Sequence, residues 1–373
     1  MSFFLRPRTQ TQPNALWFRD YQPGTLAEIV GNRDLVESLQ IYVETNNLPN
    51  LLISGPNGTA KRTMTELTAR TYLGDLYKKG CITIDGSINR GKDTVTNSNE
   101  YKKTSTGLDS NKNIMSFVKS YANLKGKKKI IIIYNFDHMT IEAQNAMRRI
   151  IELYAPTVRF FLVCNNMENI IEPVQSRCTP LRTGPITDPE IIGTLKHILA
   201  MARTNQPSLP DPDSLDEEVY QTICLLSSGD LKKAINNLQV MAHAEPPTVA
   251  TFYAIFNIPP VQTIRKIIRA VQSPDTYQEA YDTLDQLLKN GYNASDILNI
   301  FNDTVARTDW LPLTTRVAYQ HAIANSHIHT EITSSNSHLF GLIARLGKYS
   351  RDGYTNFCLL YTSPSPRDAH ESR

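Results

Sequence analysis

Residues 48–63 read Leu-Pro-Asn-Leu-Leu-Ile-Ser-Gly-Pro-Asn-Gly-Thr-Ala-Lys-Arg-Thr and carry the clearest chemistry in the chain. The apolar run Leu51, Leu52, Ile53 predicts a buried strand. Gly55, Pro56, Asn57 and Gly58 predict a sharp loop that continues through Thr59 and Ala60. From Lys61 the spacing of Met64, Leu67 and Ala69 turns helical. Strand, glycine-rich loop, lysine and helix N-terminus together make an anion cradle, in which backbone N–H groups and the helix dipole face a phosphate and the lysine adds a point charge. Measured against G-x-x-x-x-G-K-[ST], Ala60 replaces the second glycine and Arg62 stands where a magnesium-binding hydroxyl is expected. An ordinary strand-turn-helix is the other reading of this stretch taken alone.

A cradle needs a sheet to hold it. Cys81-Ile-Thr-Ile-Asp85 alternates as a strand does, Ile130–Ile133 predicts a central strand, and Val158–Val163 another. Helical spacing over Leu35–Asn46 and over 141–154, where Ala143, Met147, Ile150, Ile151 and Tyr154 share one face, alternates with these strands. That order predicts an α/β domain with a parallel sheet covered by helices. Lys125–Lys129 reads as a solvated turn rather than a DNA contact. From Asp188 onward the pattern is helical, with Ile191–Arg203, Glu217–Ser227 and Leu231–Ala242 first, then a second block from Pro246 to about Gly347.

At 373 residues the chain predicts two or three domains. Its 40% hydrophobic and 20% charged content is that of a globular protein, and a net charge of +3 implies no nucleic-acid partner without local clustering. Five scattered cysteines without a C-x-x-C pair argue against a zinc site or a disulfide framework, so no metal ligands are expected. No apolar run reaches 18 residues, and neither a signal peptide nor a membrane partner is expected.

Four further motifs stand in fixed order. Trp17-x-x-x-Tyr21-x-Pro23 with Glu28-Ile-Val-Gly-Asn32 resembles W-x-E-K-Y-R-P followed by D-I-V-G-N/Q. Ala143–Arg149 resembles A-Q-N-A-L-R-R. Cys164-Asn165 with Ile170–Cys178 resembles C-N … I-I-E-P-I-Q-S-R-C, and Ser228–Asn236 resembles G-D-[ML]-R-R-A-I-N. With the cradle, these resemble the small subunits of sliding-clamp loaders, the replication factor C family of AAA+ proteins, over residues 17–347. The resemblance implies an AAA+ P-loop domain over 17–182, a helical lid over 183–244 and a helical collar over 245–361. A loose arm (1–16), a polar insertion (94–113) and a tail of foreign composition (362–373) complete the expected organisation.

By that resemblance ATP or ADP is held by Tyr21, Val30, the loop Gly55, Pro56, Asn57, Gly58, Thr59 and Ala60, then Lys61, Arg62, Asn165 and Lys232. The family's D-E-A-D becomes Tyr134, Asn135, Phe136 and Asp137, so the metal anchor and the water-positioning carboxylate are both missing. Nucleotide binding without Mg2+ and without hydrolysis is therefore expected, an empty vestigial pocket being the alternative. Arg177, in the intact Ser176-Arg177-Cys178, is implied as an arginine finger acting in a neighbour's site, with a surface ion pair as its other reading. Arg90 is implied at DNA phosphates. Arg148 and Arg149 serve either DNA or a subunit interface. Thr96 and Asn169 stand where the family carries cations. Expected partners are the other subunits of a hetero-pentamer, a ring-shaped clamp and primer-template DNA, in the nucleus or at a viral replication site. An ATPase with an unusual site, and an adaptor of a repair or checkpoint loader, are the alternatives.

Overall fold

The computed structural model describes residues 16–88, 90, 91, 114–120, 124, 126–333 and 336–352. The expected arm (all but Leu16), insertion and tail, and Thr96 with them, lie outside the described residues. Two compact units meet between Pro247 and Thr248, and the expected lid belongs to the first of them together with the sheet.

In the first unit five strands, β1 (Leu51–Ser54), β2 (Cys81–Asp85), β3 (Lys129–Tyr134), β4 (Val158–Cys164) and β5 (Thr179–Arg182), form one sheet in the order β2-β3-β4-β1-β5, every pair parallel. β1 and β3 are buried on both faces, as continuous apolar runs in covered parallel sheets must be. The main helices around the sheet are α1 (Arg33–Glu44), α2 (Lys61–Leu73) and α3 (Ile141–Tyr154). α1 stops two residues short of the expected Asn46, which adopts a left-handed φ of 54°. Thr140 caps α3 by accepting from the Ala143 amide at 3.3 Å. The buried Gln144 then ties α3 to the segment ahead of β5, donating to the Asn169 carbonyl (3.0 Å) and accepting from the Ile171 amide (2.9 Å). α4 (Asp188–Asn205, opened by a Thr187/Glu190 capping box), α5 (Glu217–Ser227) and α6 (Leu231–Ala242) complete this unit.

One reading of the basic approach to β3 is corrected. Lys129 is 7% exposed, and its ammonium donates to the carbonyls of Phe117 (2.8 Å), Val118 (3.3 Å) and Ser120 at the end of the helix Ile114–Lys119. Lys127 does the same for the Tyr72 carbonyl at 2.6 Å, near the end of α2. Cations at helix C-termini complement the dipole and its unpaired carbonyls, so Lys129 serves the fold rather than solvent, while Lys127 stays exposed.

The second unit is helical throughout its described residues: α7 (Val249–Phe256), α8 (Val261–Ala270), α9 (Tyr277–Lys289), α10 (Ala294–Ala306), α11 (Leu313–Thr333) and α12 (Ser337–Asp352). Its core takes the predicted faces, with Ile264, Ile267, Ile268, Ile297, Leu298 and Phe301 at 1% exposure or less.

Ile132 lies at the middle of β3, fully buried between β2 and β4. Ile132→Ala is expected to destabilise the first unit by about 2–5 kcal/mol, through lost burial plus the residual cavity. Denaturant unfolding of the full chain checks this, and a loss below about 1 kcal/mol would show that the sheet repacks there.

Candidate functional site

In an open parallel sheet the functional crevice lies at the carboxyl ends of the strands, and here the candidate residues gather there. Residues 55–60 follow β1, Gly86 follows β2, Asn135–Asp137 follow β3 and Asn165 follows β4. The loop after β1 is packed too tightly for side chains at two points. A Cβ on Gly55 (φ +148°) would lie 2.1 Å from Thr183 Oγ1 and 2.4 Å from the Thr183 carbonyl. One on Gly58 (φ +72°) would lie 1.9 Å from Asp230 Oδ1. Thr59, almost fully buried, locks the loop from within, bonding the Pro56 carbonyl (2.9 Å) and the Thr183 hydroxyl (2.8 Å). Ala60 takes a left-handed φ of 61°, the conformation for which the family pattern has glycine.

Lys61 opens α2, and its ammonium folds back onto the Gly55 and Pro56 carbonyls, both at 2.6 Å. Burial lowers its proton affinity below the ordinary lysine value, with Asp137 and Asp230 among the groups that oppose the shift. Asp137 accepts from the Asn165 and Asn166 amides through Oδ2, both at 3.1 Å. Its Oδ1 is buried and unpaired among the described residues. A positive-φ loop, a buried ammonium and an unsatisfied carboxylate oxygen beside them fit a polar, anionic ligand that brings its own donors.

The metal position is different. The guanidinium carbon of Arg62 lies 4.1 Å from the centroid of the Tyr134 ring, so the two departures from the metal-binding pattern pack on each other. Burial, the largest influence, pushes the Tyr134 hydroxyl above its ordinary value and keeps it a neutral phenol at physiological pH. Asn135 is committed to Asp85, donating from Nδ2 to Oδ1 at 2.9 Å. Among the described residues no group of three His, Cys, Asp or Glu side chains could hold a metal. These residues do not fit a divalent cation.

Residues 31–187 match the family described as DNA polymerase III, delta subunit, and residues 259–345 the replication factor C C-terminal domain. Replication factor C subunit 2 of Arabidopsis thaliana is 33% identical over 287 residues, 76% of this chain and 79% of that protein. The replication factor C small subunit of Staphylothermus marinus is 30% identical, with 79% and 82% covered, and subunit 4 of Schizosaccharomyces pombe is 30% identical, with 89% and 91% covered. The chain belongs to the replication factor C small-subunit family. Its fold is the AAA+ α/β domain with an all-helical C-terminal region. Solved structures of Thermotoga maritima RuvB, the Holliday junction branch migration motor, match with a TM-score of 0.47 at 18% identity, covering 80% of this chain and 97% of theirs.

The remaining residues singled out in this replication factor C family member are spread over several elements of the first unit. Tyr21 is buried, its hydroxyl accepting from Asn205 Nδ2 at 3.4 Å, while Val30 is half-buried beside Gly31 and Asn32. Asn32 fastens that segment to the strand β5 exit by exchanging bonds with Gly184, 2.8 Å inward and 3.2 Å outward. Lys232, exposed on α6, has its ammonium 4.6 Å from the centroid of the Phe18 ring. Arg177, just before β5, is engaged within its own chain. It forms an ion pair with Glu152 of α3 and donates to the Pro173 carbonyl at 2.5 Å. Arg90, Arg148 and Arg149 are exposed. Arg90 Nε donates to the Ser87 carbonyl at 2.9 Å, and Arg148 lies 4.0 Å from Glu152. Asn169 ends the short turn Met167–Asn169.

Sequence reasoning gave no role to Asp230, Thr183, Asp85 or Glu152. Asp230 stood inside a quoted motif, but only the fold brings its carboxylate against Gly58. Thr183, Asp85 and Glu152 sit in no motif at all.

Ala60→Gly is expected to stabilise the protein by about 1 kcal/mol, since the left-handed backbone then needs no Cβ; thermal unfolding checks the sign. Burial pushes the thiols of Cys164 and Cys178 up to about 12. At pH 8 both should resist alkylation in the native protein and react on unfolding, which peptide mass spectrometry reads directly.

Proposed function

We propose that this chain is a subunit of a DNA sliding-clamp loader, helping to place a ring-shaped clamp at primer-template junctions. It would act within a hetero-pentamer, in a nucleus or at a viral replication site. The observation that carries the reading is the match to replication factor C subunits across more than three-quarters of the chain, and the presence of Ser176-Arg177-Cys178 supports the finger assigned below.

Within the assembly we assign two unequal roles. The subunit's own pocket holds ATP or ADP through the 55–61 loop, Lys61, Arg62 and Asn165, with Tyr21 and Val30 toward the base and Lys232 on the lid side. It does not hydrolyse the nucleotide. Phosphoryl transfer depends on positioning and on neutralising charge at the phosphates. Replacing a water-positioning carboxylate with the Asn135 amide removes a contribution of ~10²–10⁴-fold. Arg177 serves the neighbouring site instead, exchanging Glu152 for the phosphoryl group there. Arginine fingers of this kind are worth ~10³–10⁵ in rate. The exposed guanidinium of Arg90 supports a contact to duplex phosphates, which would add affinity and salt dependence but no sequence preference. Arg148 and Arg149, on the outer face of α3, are the other candidates for DNA or for a subunit boundary.

Reconstitution with active partner subunits tests this. Arg177→Ala is expected to abolish turnover at the one adjoining site, so that clamp- and DNA-stimulated ATP hydrolysis falls with assembly intact. The isolated wild-type chain should show no Mg2+-dependent turnover. An unchanged stimulated rate, or failure to assemble at all, would overturn the finger-donor role. Turnover by the isolated chain would overturn the silent pocket.

A further inference from the structure

Arg62 is exposed, but one contact fixes where its guanidinium sits. It follows Lys61 directly in the first turn of α2, with its guanidinium carbon 4.1 Å from the centroid of the Tyr134 ring at the end of β3. Tyr134 is only 5% exposed, so this ring is a fixed platform. Asp85, at the end of β2 and level with Tyr134 in the sheet, feels the charge of Arg62. Burial would raise that carboxyl, but bonds from the Ser87 hydroxyl (2.6 Å), the Ser87 amide (3.0 Å) and Asn135 (2.9 Å), with the charge of Arg62, hold it below the usual carboxylate range. Asp85 is thus an anion beside Arg62 whose hydrogen bonds are already supplied by neighbours. The guanidinium therefore lies against a fixed ring with an anion nearby, and its fork of N–H donors suits bidentate contact with phosphate.

We propose that Arg62, seated on Tyr134, is the resident cation of this pocket and replaces the divalent metal, so that nucleotide diphosphate or triphosphate binds without Mg2+. This rests on the reading that the pocket binds nucleotide. Magnesium and a guanidinium compete for the same phosphate oxygens and repel one another. Mg2+ in solution should then fail to strengthen binding, and should weaken it by drawing off free nucleotide. Tyr134 is a positioning residue: its ring fixes where the guanidinium sits.

The experiment is calorimetric titration of the full chain with ADP and with ATP, in EDTA and in millimolar Mg2+. Wild type is expected to bind as tightly in EDTA as in Mg2+, or several-fold tighter. Arg62→Ala is expected to lose about tenfold or more in EDTA, the order expected for one charge-assisted bidentate contact. Arg62→Lys should fall between, keeping the charge without the fork. Tyr134→Phe, which keeps the ring, should bind like wild type, and Tyr134→Leu should weaken binding toward the level of Arg62→Ala. Thermal melts of each ligand-free variant separate misfolding from a lost contact. Wild-type binding that vanishes in EDTA and returns with Mg2+ would overturn the resident-cation proposal while leaving the nucleotide pocket standing. Absence of binding in both conditions would overturn the pocket itself.

Discussion

The candidate site of the first unit depends on one constraint: five parallel strands in one sheet must all end on the same side. Parallel strands are joined only by crossovers, so each chain segment leaves the sheet at one edge and re-enters at the other. The loops after β1, β2, β3 and β4 therefore converge whatever their sequences. In this chain that convergence brings Lys61, Asp85, Tyr134, Asp137 and Asn165 into one neighbourhood from stretches more than a hundred residues apart. The interior place of β1, between β4 and β5, sets the rest. Its loop leaves the sheet against the exit of β5, and Thr183 takes up the space that a side chain at residue 55 would need.

That packing gives the cradle two walls with different origins. One is the β5 exit, through Thr183 and its bond to Thr59. The other is the N-terminus of α6, where Asp230 caps its own helix by accepting from the Lys233 amide at 3.0 Å and stands against Gly58. A loop held between a sheet and a helix cannot change shape without one of the two shifting. The cradle and the helices after it are for that reason mechanically linked. The same carboxylate also contributes, with Asp137, to the charge balance around Lys61. Phe18, carried by the N-terminal turn, is brought near Lys232 of α6, and Trp17 donates its backbone N–H to Gln239 on that helix at 3.1 Å.

Much of this was readable in the sequence because it is local or periodic. The runs 51–53 and 130–133 admit only a buried strand, and the helices 217–227 and 231–242 fall where their apolar spacing puts them. The cradle was legible as a loop motif, since positive φ and close backbone approach are properties glycine announces. Long-range pairing was not. Nothing near Gly58 in the chain foretells Asp230, and the Lys125–Lys129 run looks solvated until the fold delivers helix carbonyls to its end. Arg177 shows the same limit from the other side. Its motif names the residue, but its ion-pair partner, Glu152, lies on a different element, and only the packing of α3 on the short helix Glu172–Gln175 brings them together.

Arg62 and Tyr134 were each legible as losses, an absent hydroxyl and an absent acid. Their contact gives the two losses a common reason. An acidic side chain at position 134 would pair with a guanidinium above it and occupy its donors, leaving neither group free for metal or phosphate. A metal beside the same guanidinium would suffer like-charge repulsion in a poorly solvated crevice. Arginine at 62 thus favours loss of the acid, and an aromatic ring at 134 then adds about 0.5–2 kcal/mol by cation–π attraction without consuming the guanidinium edge. On the proposed reading the site holds charge at the same place with a guanidinium instead, and the carboxylate that in the family pattern would set an attacking water in line is replaced by the Asn135 amide.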